Sequence, residues 1–203
     1  MLRIGRYNAG EVFMTIADAT TYRFTRAMYD QMVDAGILED QRVELIGGEI
    51  LQMSPIHNPH VVACTLVTEL LREAFGKTVH LRVQAPLAFD ESEPQPDIAV
   101  IPGSPRDYDY HPNCAFLVVE VSDSSLRFDR KVKGSLYASA RIPEYWLLNL
   151  RDSQLEVYRS PKRDKTQRFG FRYSTVQVLK RKEGVVPLAL PKANPIRIAD
   201  MLP

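Results

Sequence analysis

QPDIAVI (95–101), CAFLVVEVSDSS (114–125) and DRKVKGSLYASARIPEYWLLNL (129–150) follow one another in the middle of the chain. FLVVEVS (116–122) is the most strongly apolar run in the sequence, which predicts a central strand covered on both faces. PDIAVI predicts a second buried strand, and each of the two carries one carboxylate, Asp97 and Glu120. Taking a charge out of water costs several kcal/mol unless something pairs it, so an acid in such a strand needs a partner. Glu120 stands between Val119 and Val121, where a bland surface role has no place. For Asp97 the alternative is a turn residue after Pro96 at the strand end. Two acids at neighbouring strand ends, with a lysine nearby, have the residue types to hold a hard divalent cation against a phosphate.

Working outward, 129–141 predicts a helix with Asp129 in its first turn, favourable for the helix dipole. Val132, Leu136 and Ala140 give its core stripe, and Lys133 borders that stripe. Lys133 also lies four residues after Asp129, the spacing of an ion pair on a solvated face, and Lys131 competes for any functional role. Segments 144–150 and 154–160 predict two strands joined by a short turn, and 174–180 a further one before a Pro-rich tail.

Upstream, Phe24, Met28, Met32 and Val33 mark a helix from Thr25, a suitable N-cap, to Gly36, a suitable C-cap. RVELIGGEILQMS (42–54) predicts a hairpin around Gly47-Gly48. Alternation alone puts Glu44 on its polar face. Residues 60–76 predict an amphipathic helix, with His57 and His60 at its start as capping or surface residues. Residues 78–90 alternate as a strand. Residues 11–17 admit a short strand, an arm or a disordered lead, and 1–20 and 191–203 are expected as peripheral arms or tails of one domain spanning 1–203.

The chain has 203 residues, 45% hydrophobic and 25% charged, with a formal net charge of +1. That composition excludes a disordered or coiled-coil chain and a strongly basic nucleic-acid coat. A local patch remains open: Arg159, Lys162, Arg163, Lys165, Arg168 and Arg172 form a basic stretch able to hold a phosphate backbone. Cys64 and Cys114 lack CxxC spacing and read as reduced, buried thiols. With no apolar leader in MLRIGRYNAG and no membrane-spanning run, a cytoplasmic protein with no membrane partner is expected. The order of elements predicts an α/β class, a mixed β-sheet core flanked by helices with an N-terminal helix and hairpin.

The order VELIGGEILQMSP, QPDIAVI, LVVEVSDSS, DRKVKGSLYASARIPEYWLLNL resembles the Uma-type restriction-endonuclease family of the PD-(D/E)XK superfamily over about residues 20–190. The resemblance implies a restriction-endonuclease-like fold and hydrolysis of phosphodiester bonds in nucleic acid, DNA above all. It implies Mg²⁺ as cofactor, with Mn²⁺ as a substitute, and a homodimer. It matches Glu44, Asp97, Glu120 and Lys133 to catalytic positions, and Asp97, Glu120 and the backbone carbonyl of Val121 to metal ligands. The superfamily's usual lysine position, 122, holds Ser122, so the resemblance moves the lysine to the next helix. The alternative is a catalytically inactive protein of the same fold that binds nucleic acid or acts as a scaffold.

Overall fold

A computed structural model describes residues 20–203, and the reading made for 11–17 lies outside them. The apolar strand runs work out as one six-stranded mixed sheet of order β3-β4-β5-β6-β7-β8. Its strands are β3 (Val79–Val83), β4 (Ile98–Pro102), β5 (Leu117–Ser122), β6 (Glu144–Asn149), β7 (Gln154–Arg163) and β8 (Phe171–Lys180). Neighbours are antiparallel except β5 and β6, which run parallel because a helical crossover links them. β5 and β6 are buried along their whole length, as expected of strands covered on both faces.

Alternation along β5 divides the core. Val119 and Val121 pack with Trp146 and Leu148 towards α2 (Asn58–Phe75), whose Ala63, Cys64, Val67, Leu71 and Phe75 form a stripe at four-residue spacing. Val118 faces the other way, with Tyr145 and Leu147, towards Leu136 and Tyr137 of the crossover. The crossover comprises α3 (Leu126–Phe128), a π-helical turn (Asp129–Lys133) and α4 (Gly134–Ser139). The hairpin of β1 (Val43–Ile46) and β2 (Glu49–Gln52) lies outside the main sheet, and its Ile46 packs into this second core. Gly47 and Gly48 turn it with φ of 58° and 77°, the left-handed pair of a two-residue hairpin loop.

Helix α1 (Arg26–Asp34) starts where expected, with the Thr25 hydroxyl accepting from Met28 N at 3.3 Å. Its buried face centres on Tyr29, whose hydroxyl donates to Val43 O, whereas Val33 is exposed. The strand expected over 78–90 stops at Val83, because Gln84 takes a positive φ of 46° and the chain leaves the sheet towards Pro86. Cys114 is exposed, since the buried run begins only at Ala115 and even Phe116 reaches solvent. The expected peripheral tail is a correction too. Strands β9 (Gly184–Val185) and β10 (Ile196–Arg197) pair, and α5 (Ile198–Met201) follows. Ile196, Ile198, Met201 and Leu202 are buried in the α2-side core, so apolar residues spaced among the prolines carry the segment inward.

Gly48 is the tightest point of the hairpin. A Cβ there would lie 2.7 Å from Arg23 Cβ on a backbone that already has positive φ. Gly48→Ala is expected to destabilise the protein by about 1–3 kcal/mol in chemical denaturation. An unchanged midpoint would show that the hairpin is free to shift away from Arg23.

Candidate active site

Glu120 points from β5 into the second core and is 4% exposed. The π-helical turn delivers its partner: Lys133 ends that turn, is 5% exposed, and places Nζ 2.9 Å from Glu120 Oε1. One turn on, the Tyr137 hydroxyl donates to the same oxygen at 2.5 Å. Lys133 and Tyr137, four residues apart, therefore grip one carboxylate from one helix face. Lys131, the competitor in the sequence, is exposed. Asp129 is buried at 3% rather than solvated, and its carboxylate accepts from Ser125 Oγ at 2.5 Å.

Glu44 completes the lysine's surroundings. Alternation placed it on a polar face, yet it is 4% exposed, with Oε2 3.3 Å from Lys133 Nζ and accepting from Gln95 N at 3.1 Å. β1 is buried from Glu44 to Ile46, on both of its faces, so alternation does not report exposure there. Asp97 sits one step before the Ile98–Val119 pair, which sets it beside Glu120 across the β4–β5 ladder. Its Oδ2 accepts from Val121 N at 2.8 Å, and its Oδ1 lies 2.9 Å from His60 Nε2. The structure thus brings Glu44, Asp97, Glu120, Val121 and Lys133 to one cleft of about 370 Å³, with His60 on its wall.

His60 is the functional candidate that sequence reading passed over. Its helical start was legible, but Asp97 lies 37 positions away and nothing local links them. Cys64, one turn along α2, also comes near: His60, Cys64 and Asp97 bring their donor atoms within 4.8 Å of one another, a group able to hold a metal ion. His57, by contrast, is the exposed N-cap of α2 and makes no side-chain capping bond.

The electrostatics lean one way. Burial pushes the Glu120 carboxyl well above its ordinary range; Lys133 pulls it down, and Asp97, Asp129 and Glu44 add to the rise. Burial alone would lower the Lys133 ammonium, but Glu120, Glu44 and Asp129 outweigh it and hold it raised. His60 is raised chiefly by its bond to Asp97, against the opposing effect of burial. Each shift favours uptake of positive charge, as expected where several buried carboxylates share one lysine. Oxygen donors from Asp97, Glu120 and the Val121 carbonyl at such a point fit a hard divalent cation.

The basic stretch is a correction to its expected freedom. β7 and β8 take in 159–163 and 171–172, leaving a loop over 164–170. Arg159 donates to the buried Glu144 at 2.8 Å, Arg168 to Glu49 at 2.8 Å, and Arg172 lies 3.0 Å from Asp164. Lys162, Arg163 and Lys165 remain exposed.

Removing the lysine exposes the imbalance. Lys133→Met should cost about 3–5 kcal/mol at neutral pH, because it strands two buried carboxylates. Glu120 titrates higher folded than unfolded, so the folded state binds the extra proton and its stability falls as pH rises through that window. Without Lys133 the rise is larger, so the gap between variant and wild type is expected to widen from pH 5 to pH 8 in thermal denaturation. A gap independent of pH would contradict the shared-lysine arrangement.

No curated protein matches the chain. Among solved structures, it is similar to a putative nuclease belonging to DUF820 from Anabaena variabilis, with 15% identity and a TM-score of 0.60. That match covers 78% of this chain and 88% of the other, and it shows a shared fold. The family model for Uma2, described as "Putative restriction endonuclease", matches residues 27–198, and the chain therefore belongs to the Uma2 family.

Proposed function

We propose that this protein is a metal-dependent endonuclease that hydrolyses phosphodiester bonds in DNA. The observation that carries this reading is the meeting of Asp97, Glu120, Glu44 and Lys133 in one cleft, with Lys133 buried between two carboxylates. Asp97, Glu120 and the Val121 carbonyl would hold Mg²⁺, or Mn²⁺ in its place. When bound, the ion lowers the pKa of a water and offsets charge that builds on the phosphoryl group.

The chain's own residues do the positioning. Glu120 accepts an N–H of Lys133 at 2.9 Å, and Glu44 Oε2 lies 3.3 Å from the same nitrogen as its ion-pair partner, so the ammonium is held in place with a donor left for the cleft. That donor orients the attacking water and stabilises negative charge on a non-bridging oxygen. Tyr137 locks the Glu120 rotamer from behind. Val121 N and His60 hold both oxygens of Asp97, so its orientation is set before a ligand arrives. Lys162, Arg163 and Lys165 are left to contact the phosphate backbone. A two-fold pair of chains would offer one cleft to each strand of a duplex, which supports a homodimer.

Cleavage of supercoiled, linear and single-stranded DNA with Mg²⁺ or Mn²⁺ tests this reading. The wild type is expected to cut, and Asp97→Ala and Lys133→Ala to lose about 10²-fold or more. Lys131→Ala is expected to retain activity. Cleavage that survives Lys133→Ala but not Lys131→Ala would move the lysine role. A wild type that binds these DNAs without cutting them would favour a nucleic-acid-binding protein of nuclease fold.

A further inference from the structure

His60 and Cys64 lie four residues apart on α2 and share one helix face, directed at the sheet end where Asp97 stands. Cys64 is 6% exposed, while His60 and Asp97 line the cleft. His60 Nε2 already lies 2.9 Å from Asp97 Oδ1, and the three donor atoms fall within 4.8 Å. One thiol, one imidazole and one carboxylate oxygen are not a Mg²⁺ set, because Mg²⁺ takes oxygen ligands. They are the mixed sulfur, nitrogen and oxygen donors that suit a borderline ion such as Zn²⁺ or Co²⁺. Three protein ligands from a helix and a strand end leave the fourth position to water from the cleft, the pattern of an open metal site.

We propose that His60 Nε2, Cys64 Sγ and Asp97 form a binding site for a borderline transition-metal ion, which overlaps the all-oxygen Mg²⁺ set at Asp97. Binding releases the thiol proton to solvent, and His60 ligates through Nε2 with its remaining proton on Nδ1. Asp97 belongs to both donor sets, so the two kinds of ion compete for it. The helix supplies the choice between them: Cys64 lies beneath the cleft wall and can engage only a metal that takes sulfur.

Titration of Co²⁺ into the full-length protein, followed by absorption, tests the site without DNA or Mg²⁺. The wild type is expected to show a thiolate-to-Co²⁺ charge-transfer band in the near ultraviolet and visible bands of a low-coordinate ion. Cys64→Ser should lose the charge-transfer band, and Cys114→Ser, which changes the exposed thiol, should keep it. His60→Ala should weaken Co²⁺ binding by about 10-fold or more. This half-buried position on the cleft wall decides the matter should Cys64→Ser fail to fold by circular dichroism. A wild type without the charge-transfer band, a band lost in Cys114→Ser, or an unchanged Co²⁺ affinity in His60→Ala would each overturn the proposal. Such results would leave Mg²⁺-supported cleavage untouched, because that reading uses neither Cys64 nor His60 as a ligand.

Discussion

The Glu120 carboxylate, held in the middle of the most apolar strand, is the constraint on which the second core is built. It sits on the face that Val118 and Leu147 make hydrophobic, where an unpaired charge costs several kcal/mol. Lys133 and Tyr137 meet that cost by approaching from the crossover, and Glu44 closes the far side of the lysine from the hairpin. The hairpin belongs to neither face of the sheet by strand pairing. It is tied in by Ile46 in the core, by the short bridge of Leu45 to Glu93 and by the Glu44–Lys133 pair. The π-helical turn ends on the lysine itself, and such turns in helices are frequent at functional sites.

A site of this kind works against stability. Several carboxylates share one lysine, so the folded protein carries excess negative charge in a low-dielectric place. Replacing a buried ion pair with apolar groups of the same volume is often neutral or stabilising, so stability alone does not account for this cluster. The proposed function would account for it, with a divalent cation as the missing positive charge. Membership of the Uma2 family supports a nuclease function from another direction.

Much of this was legible in the sequence because it rests on short-range physics. FLVVEVS announces both a buried strand and an acid that needs a partner, and Gly47-Gly48 announces a turn that only positive φ can make. Lys133 was distinguishable from Lys131 only as a residue at the edge of an apolar stripe, and the family resemblance matched Lys133 while leaving Lys131 open. Glu44 was misplaced by alternation, because that rule assumes one wet face and β1 is buried on both from Glu44 onward. His60 and Cys64 stayed hidden since their meaning depends on a strand end far away in sequence. The Pro-rich tail looked peripheral because its buried residues Ile196, Ile198, Met201 and Leu202 lie in a segment too short to establish a period beside the prolines. Arg159 looked free because its partner Glu144 lies on the neighbouring strand, fully buried.

Locating the divalent cation that Asp97 and Glu120 are proposed to hold jointly is the most direct test. Anomalous diffraction from crystals soaked in Mn²⁺ would locate it. The expected result is a peak in ligating contact with carboxylate oxygens of both Asp97 and Glu120 and with the Val121 carbonyl. Absence of a peak at Asp97 in crystals that take up Mn²⁺ elsewhere, or a peak that touches Asp97 but not Glu120, would contradict that joint ligation.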